Sequence, residues 1–161
     1  MMRPTIMREF PPERRKSWSK SAIIGGHEVT FGVGLYEDGR PCELFIDMQK
    51  EGSTTRGMTN TLARMVSLSL QHGASIEMVC HALRGIDYPP AGAVLPINPD
   101  GPEPCVAECY SVTHWIACEL EACYLQESTA LVQRGLPQGD PAPALPDKVA
   151  GHISEAWRSG A

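Results

Sequence analysis

Apolar and polar residues alternate along the first half of the chain. His27, Val29, Phe31, Val33 and Leu35 interleave with Glu28, Thr30, Gly32 and Gly34. A period of two sends successive side chains to opposite faces, so the spacing predicts a half-buried strand. Glu37-Asp38-Gly39 supplies a turn in which Gly39 is free to take positive φ. The chain returns with Cys42, Leu44, Ile46 and Met48 on one face and Glu43, Phe45 and Asp47 on the other. Two such strands form a ribbon that is marginal alone and needs a helix against it. Ser21-Ala22-Ile23-Ile24, before Gly25-Gly26, reads as a further short strand.

The period then changes. Ser53 or Thr54 can cap a helix by accepting an early amide. That helix is expected from about Thr55 to His72, burying Met58, Leu62, Met65, Val66 and Leu70. Gly57 inside it costs about 1 kcal/mol relative to alanine, which suggests close backbone packing there. Gly73 suits the left-handed position after the helix. Ser75 caps a second, shorter helix with Ile76, Val79, Cys80 and Leu83 buried and Gly85 closing it. Asp87 to Pro104 is rich in proline and glycine and is expected to be a surface loop. A third helix is expected from about Glu103 to Gln133, with Cys105, Cys109, Val112, Ile116, Leu120 and Cys123 along its stripe and Gly135-Leu136-Pro137 ending it.

These elements predict an α+β fold, a small antiparallel sheet of two or three strands packed against three α-helices. The organisation divides into an irregular basic arm at 1–20, a single α+β domain at 21–134, and a Pro/Gly-rich linker with a short helix at 135–161. Trp18 is placed to pin the arm to the domain, and Val149, Ile153 and Trp157 recur every four residues in the last segment. Docking of that segment on the chain's own core is favoured over a partner-binding helix.

Charge and composition narrow the classes. A chain of 161 residues suffices for one domain with a core. Its net charge of −5 does not favour a nucleic-acid partner. The cations Arg3, Arg8, Arg14, Arg15, Lys16 and Lys20 face only Glu9 and Glu13 in the arm, which reads first as a solvated segment. The first residues lack the apolar run of a signal peptide, and no stretch approaches the roughly 20 apolar residues that span a bilayer. A cytoplasmic protein with its six cysteines reduced is the expectation.

The turn around Gly52 is the best candidate ligand site. Free amides and the dipole at a helix start attract anions, and Lys50 and Arg56 add charge. Lys50, Gly52, Ser53, Thr54 and Arg56 are therefore candidate residues for phosphate, a nucleotide or another anion, weighed against a plain helix cap. The glycine-lysine-serine order of a phosphate-binding Walker loop is absent. Cys105, Cys109, Cys118 and Cys123 invite zinc, but on one continuous helix Cys105 and Cys123 would lie about 27 Å apart, so core packing is favoured and no metal site is assigned. Cys105 and Cys109 are the only local pair for redox chemistry, and a disulfide within a helical turn is awkward. His72, His81 and His114 show no constellation with a nucleophile, and Asp47 and Glu51 read as solvated surface rather than an acid–base pair.

Gly34-Leu35-Tyr36-Glu37-Asp38-Gly39-Arg40-Pro41, then Glu43-Leu44-Phe45-Ile46 and Lys50-Glu51-Gly52-Ser53-Thr54, resemble the C-terminal region of adenosylcobalamin-dependent (class II) ribonucleotide reductases. The small stand-alone TSCPD-domain proteins share this module. Arg14-Arg15 and Gly25-Gly26-His27-Glu28-Val29 upstream fit the same pattern, as do Ser67-Leu68-Ser69-Leu70-Gln71-His72-Gly73, Pro90-Ala91-Gly92 and Asn98-Pro99-Asp100 downstream. The resemblance covers roughly residues 8–125. It implies a part in deoxyribonucleotide synthesis, with a reductase catalytic chain as partner. In that family reduction uses a thiyl-radical cysteine in a large barrel, a reducing cysteine pair and adenosylcobalamin. None of the six cysteines here falls in a matching catalytic motif, and the Thr-Ser-Cys-Pro-Asp motif is absent. The resemblance therefore carries over no catalytic residue and implies that this chain alone binds no cobalamin. A non-catalytic nucleotide-binding module is the alternative, and a homodimer through sheet edges or the C-terminal segment is a third reading.

Overall fold

Ile24-Gly25-Gly26-His27 is a two-residue hairpin turn with φ of +54° at Gly25 and +85° at Gly26. Two successive positive φ values match the twist of the flanking strands and call for glycine. A Cβ on Gly25 would also stand 2.5 Å from the Ala91 carbonyl oxygen. This turn joins β1 (Ser17–Ile24) to β2 (His27–Leu35), and the Asp38-Gly39 turn joins β2 to β3 (Pro41–Asp47). The computed structural model describes residues 7–48 and 52–133, with side chains through Leu125. Lys50, Glu51 and the predicted linker and helix with Val149, Ile153 and Trp157 lie outside the described residues.

The chain continues through α1 (Ser53–Gln71), α2 (Ile76–Arg84), β4 (Gly92–Pro96), β5 (Glu108–Cys109) and α3 (Val112–Gln133). The architecture is α+β, as predicted, but the sheet has five antiparallel strands in the order β3-β2-β1-β4-β5 rather than two or three. β1 starts at Ser17, inside the stretch read as irregular. Its inward row is Trp18, Lys20, Ala22 and Ile24, and the lysine breaks the apolar signature. β4 lies inside the predicted loop and pairs Val94, Leu95 and Pro96 with Ile24, Ile23 and Ala22. Only Val94 of its five residues is buried, so there is little alternation to read.

The helices depart from expectation in four places. α1 has Gly52 at its N-cap with no side-chain cap bond, so neither Ser53 nor Thr54 caps it. It buries Ala63, Val66, Leu70 and Gln71, while Met58 and Met65 are 69% and 57% exposed. A Cβ at Gly57 would meet nothing, so no close packing explains that glycine. α2 follows its predicted pattern: Ser75 Oγ accepts the Met78 N–H, and Val79, Cys80 and Leu83 are buried. α3 begins at Val112 because Ser111 Oγ accepts the His114 N–H, the hydrogen bond of an N-cap. Cys105 and Cys109 thus precede the helix.

The reason α1 turns its methionines outward is the edge of the sheet. β3 is a terminal strand, and an uncovered strand edge presents unpaired backbone groups. The Leu44 N–H donates to Ser67 Oγ at 2.9 Å, and Gln71 Nε2 donates to the Cys42 carbonyl at 3.0 Å. The Ser67 hydroxyl has one proton, and it goes to the Ala63 carbonyl at 2.7 Å. Gln71 is 3% exposed, and its Oε1 accepts from Arg8 Nε at 2.8 Å. The arm is held beside it: the Glu9 N–H donates to the Gln71 carbonyl, Tyr36 Oη donates to the Glu9 carbonyl, and Arg40 pairs with the Glu9 carboxylate.

On the inner face, Phe31 stands edge-on between Trp18, at 5.5 Å, and Trp115, at 5.1 Å. Trp18 Nε1 donates to Tyr124 Oη at 3.0 Å, so Trp18 does pin the body, from within a strand. Beside this stack, Glu119 of α3 is fully buried. Its Oε1 accepts from the Cys105 N–H at 2.9 Å and Trp115 Nε1 at 3.2 Å, and its Oε2 is paired with Lys20 Nζ. Burial opposes the ammonium charge of Lys20, but the bond to Glu119 and the charge of Glu119 outweigh it and raise the Lys20 pKa.

Replacing Gln71 by alanine leaves the buried Cys42 carbonyl unpaired and should destabilise the fold by about 1–3 kcal/mol, whereas Met58→Ala should change it by less than about 0.5 kcal/mol. Urea unfolding followed by tryptophan fluorescence measures both, and equal effects would contradict the packing of α1. Lys20→Met strands a buried carboxylate and should remove stability towards the lower end of about 3–5 kcal/mol, because Lys20 is itself partly exposed. The raised pKa fixes the pH window. The contribution of Lys20 is complete below the ordinary lysine value of 10.5 and is lost as pH rises through the raised value. The gap between the native chain and Lys20→Met should therefore persist from pH 7 to 9 and narrow only in stronger alkali.

Candidate functional site

α1 lies along β3, and the seam between them is a groove. Residues spaced by four share one face of a helix, and Arg56, Asn60 and Arg64 occupy that row on the side of α1 that flanks β3. The main groove has a volume of ≈ 660 Å³ and is lined by Arg8, Asn60, Arg64, Gln71, Glu43 and Phe45, among others. A shallower hollow of ≈ 420 Å³, formed by Ile46, Asp47, Arg56 and Asn60, continues it towards the start of α1. Ile46 and Asn60 line both, so the two form one continuous surface.

Each polar group has a structural reason for its place. Arg8 is carried by the docked arm and held by Gln71, with its guanidinium 4.5 Å from the Phe10 ring centre. Arg64 is exposed and makes no hydrogen bond or ion pair among the described residues. Phe45 sits on the outward row of β3, 53% exposed, above Gly32 of the neighbouring strand. Glu43 is drawn away from the groove's cations by its own ion pair with Arg15 at 2.5 Å.

Of the residues named from sequence, Gly52, Ser53, Thr54 and Arg56 are all exposed at the start of α1, and no acidic side chain occupies that first turn. Lys50 lies outside the described residues. Arg56 joins the groove through the hollow it shares with Asp47 and Asn60. Sequence reasoning missed Arg8, Phe45, Asn60 and Arg64. The four-residue spacing of Arg56, Asn60 and Arg64 was a legible signal, whereas Arg8 and Phe45 arrive only through the fold.

The other candidates are dispersed. Among the described residues no three His, Cys, Asp or Glu side chains gather as a metal-binding group. Burial, and next the charge of Glu119, pushes the Cys105 thiol up to about 12, and burial pushes Cys80 up to about 11 and raises Cys42 and Cys109. Thiols held protonated are poor nucleophiles and poor metal ligands. His72 Nδ1 lies 2.7 Å from the Leu68 carbonyl of its own helix, and His114 Nδ1 accepts the Tyr110 N–H at 3.2 Å. Among the described residues no helix is long and apolar enough to cross a membrane.

The TSCPD domain profile matches residues 2–124, close to the span over which the resemblance was seen. The chain is similar to the vitamin B12-dependent ribonucleotide reductase of Bradyrhizobium diazoefficiens, with 44% identity over 87 residues, 54% of this chain and 7% of that protein. The protein of the same name from Agrobacterium fabrum is 42% identical over 87 residues, again 54% of this chain and 7% of its own length. That of Rhodopirellula baltica is 39% identical over 85 residues, 53% of this chain and 8% of its own length. The chain thus spans under a tenth of these relatives. No solved structure matches it. With its profile matched over residues 2–124, the chain belongs to the TSCPD-domain family.

Proposed function

We propose that this chain is an accessory module of a vitamin B12-dependent ribonucleotide-reducing system, working beside a catalytic chain and not reducing nucleotides alone. The observation that carries this reading is the 39–44% identity with three reductases over 85–87 residues that make up only 7–8% of each. A segment so similar and so small supports reading it as a module of such a system, with the chemistry supplied by a partner.

The cofactor belongs with that partner in this reading. Adenosylcobalamin carries a corrin ring, a nucleotide loop and an adenosyl group, far more bulk than the drug-sized ligands that fill about 300–1,000 Å³. The groove of ≈ 660 Å³ is of the size that takes a smaller ligand. The groove does not fit the group, so in this reading its chemistry stays with the partner.

The outer face of α1 is the surface we assign to the catalytic chain. Met58 and Met65, seven residues apart, project from it, with Leu62 half-buried between them. Methionine adapts to varied partner surfaces, and a contiguous exposed apolar row marks an interaction site. The affinity-tagged chain should retain a B12-dependent reductase polypeptide on size-exclusion chromatography at micromolar concentration. Met58→Glu with Met65→Glu, two exposed changes, should abolish retention and leave the circular dichroism spectrum intact. No co-elution with the native chain would sink the proposal, and unchanged co-elution of the double variant would move the interface off α1.

A further inference from the structure

We infer that the α1–β3 groove is a binding site for a nucleoside polyphosphate, independent of any reductase partner. Three observations converge on that chemistry. First, the groove offers cations along its length. Arg56 and Arg64 are eight residues apart on one helix, which separates their backbones by about 12 Å, and Arg8 enters beside Gln71. A spread of guanidinium charge suits a chain of phosphates more than a single inorganic anion, and Arg64 can meet oxygens two at a time. Second, Arg64 has no partner among the described residues; Glu43 of the same groove is committed to Arg15, and Asp47 lies in the adjoining hollow with Arg56. The charge of Arg64 is therefore available to a ligand. Third, Phe45 presents an exposed ring at the groove's wall. One side of the ring lies over Gly32, and about half of it remains open to solvent. An exposed aromatic face beside arginines is the arrangement on which nucleobases stack.

The size agrees. A volume of ≈ 660 Å³ falls within the about 300–1,000 Å³ of small-molecule sites. Asn60 sits between the two arginines of α1, where its amide can donate to a phosphate or a sugar hydroxyl. The groove is also prebuilt. Its floor is the Ser67 and Gln71 contact with β3, which closes the sheet whether or not a ligand is present.

Isothermal titration calorimetry of the full chain with ATP, adenosine and tripolyphosphate tests the assignment. ATP should bind, tripolyphosphate more weakly, and adenosine more weakly still. Arg64→Ala should weaken ATP about tenfold or more. Phe45→Ala should weaken ATP about fivefold or more and leave tripolyphosphate unchanged. Arg64 is exposed, so the melting temperature of Arg64→Ala should match the native one, and unchanged tripolyphosphate binding by Phe45→Ala shows that this variant is folded. Photolabelling with 8-azido-ATP gives a readout that needs no variant and should mark the peptide that contains Phe45. The inference is overturned by no ATP binding at millimolar concentration, by ATP affinity indifferent to Arg64, by tripolyphosphate binding as tightly as ATP, or by a label placed elsewhere. None of these results bears on co-elution with a reductase, so the two proposals fail separately.

Discussion

The fold depends on a carboxylate that has been taken out of water. Glu119 is wholly buried, and a buried charge persists only when it is paired and hydrogen-bonded. Its partners come from three places: Lys20 on β1, the backbone of Cys105 in the connection before β5, and Trp115 one turn earlier on α3. Satisfying one side chain therefore ties the central strand, the long connection and the last helix together. It also sets register. A one-residue slip of β1 would turn Lys20 to the outer face and bring serines inward. The same slip would move Trp18 off Phe31 and Tyr124, so the ion pair and the aromatic stack specify one alignment between them.

A second constraint operates at the other end of the sheet. β3 has no strand beyond it, and α1 satisfies its backbone with Ser67 and Gln71. Side chains on a helix are an economical cover for a strand edge, because they also block pairing with another chain. The consequence reaches the surface. Orienting Ser67 and Gln71 towards β3 rotates Arg56, Asn60 and Arg64 to the rim of the seam and sends Met58 and Met65 to solvent. Gln71 additionally receives Arg8, and its backbone receives Glu9, so the arm becomes a wall of the groove. The groove is the outer side of the contact that closes the sheet.

The hairpin of β2 and β3 was legible because its alternation is clean, and α2 because a serine cap and an apolar stripe coincide. β1 was half hidden by Lys20, an inward charge that only a buried acid on a distant helix explains. β4 and β5 were invisible because short strands buried at one or two positions carry no period. α1 was placed well along the chain, and Val66 and Leu70 were rightly read as buried, but its face was turned too far towards Met58 and Met65. The methionines extend that stripe as well as Ala63 does, and the choice was made by hydrogen bonds to β3 that no periodicity encodes. The start of α3 was missed although Ser111 is a good cap, because the cysteine spacing upstream imitated a helical stripe. The candidate site was legible in part, through Arg56 and the start of α1. Phe45 and Arg8 were not, since one depends on which strand lies at the edge and the other on where the arm docks.

α1 carries three separate rows on one cylinder. At 100° per residue, Ala63, Val66 and Leu70 face the core, Arg56, Asn60 and Arg64 lie to one flank, and Met58 and Met65 lie to the other, about a third of a turn from the core. The polar and methionine rows are about a third of a turn or more apart, so a small ligand and a macromolecular partner need not compete for area. They would share only the position of the helix itself. Any coupling between them must therefore act through α1 shifting on β3, and the Ser67 and Gln71 bonds resist that shift. A ligand that bridges Arg64 on the helix to Phe45 on the strand would tighten the same seam. In this arrangement ligand binding would firm the surface offered to the partner without touching it, since a ligand can favour a partner only through a difference in the state both of them see.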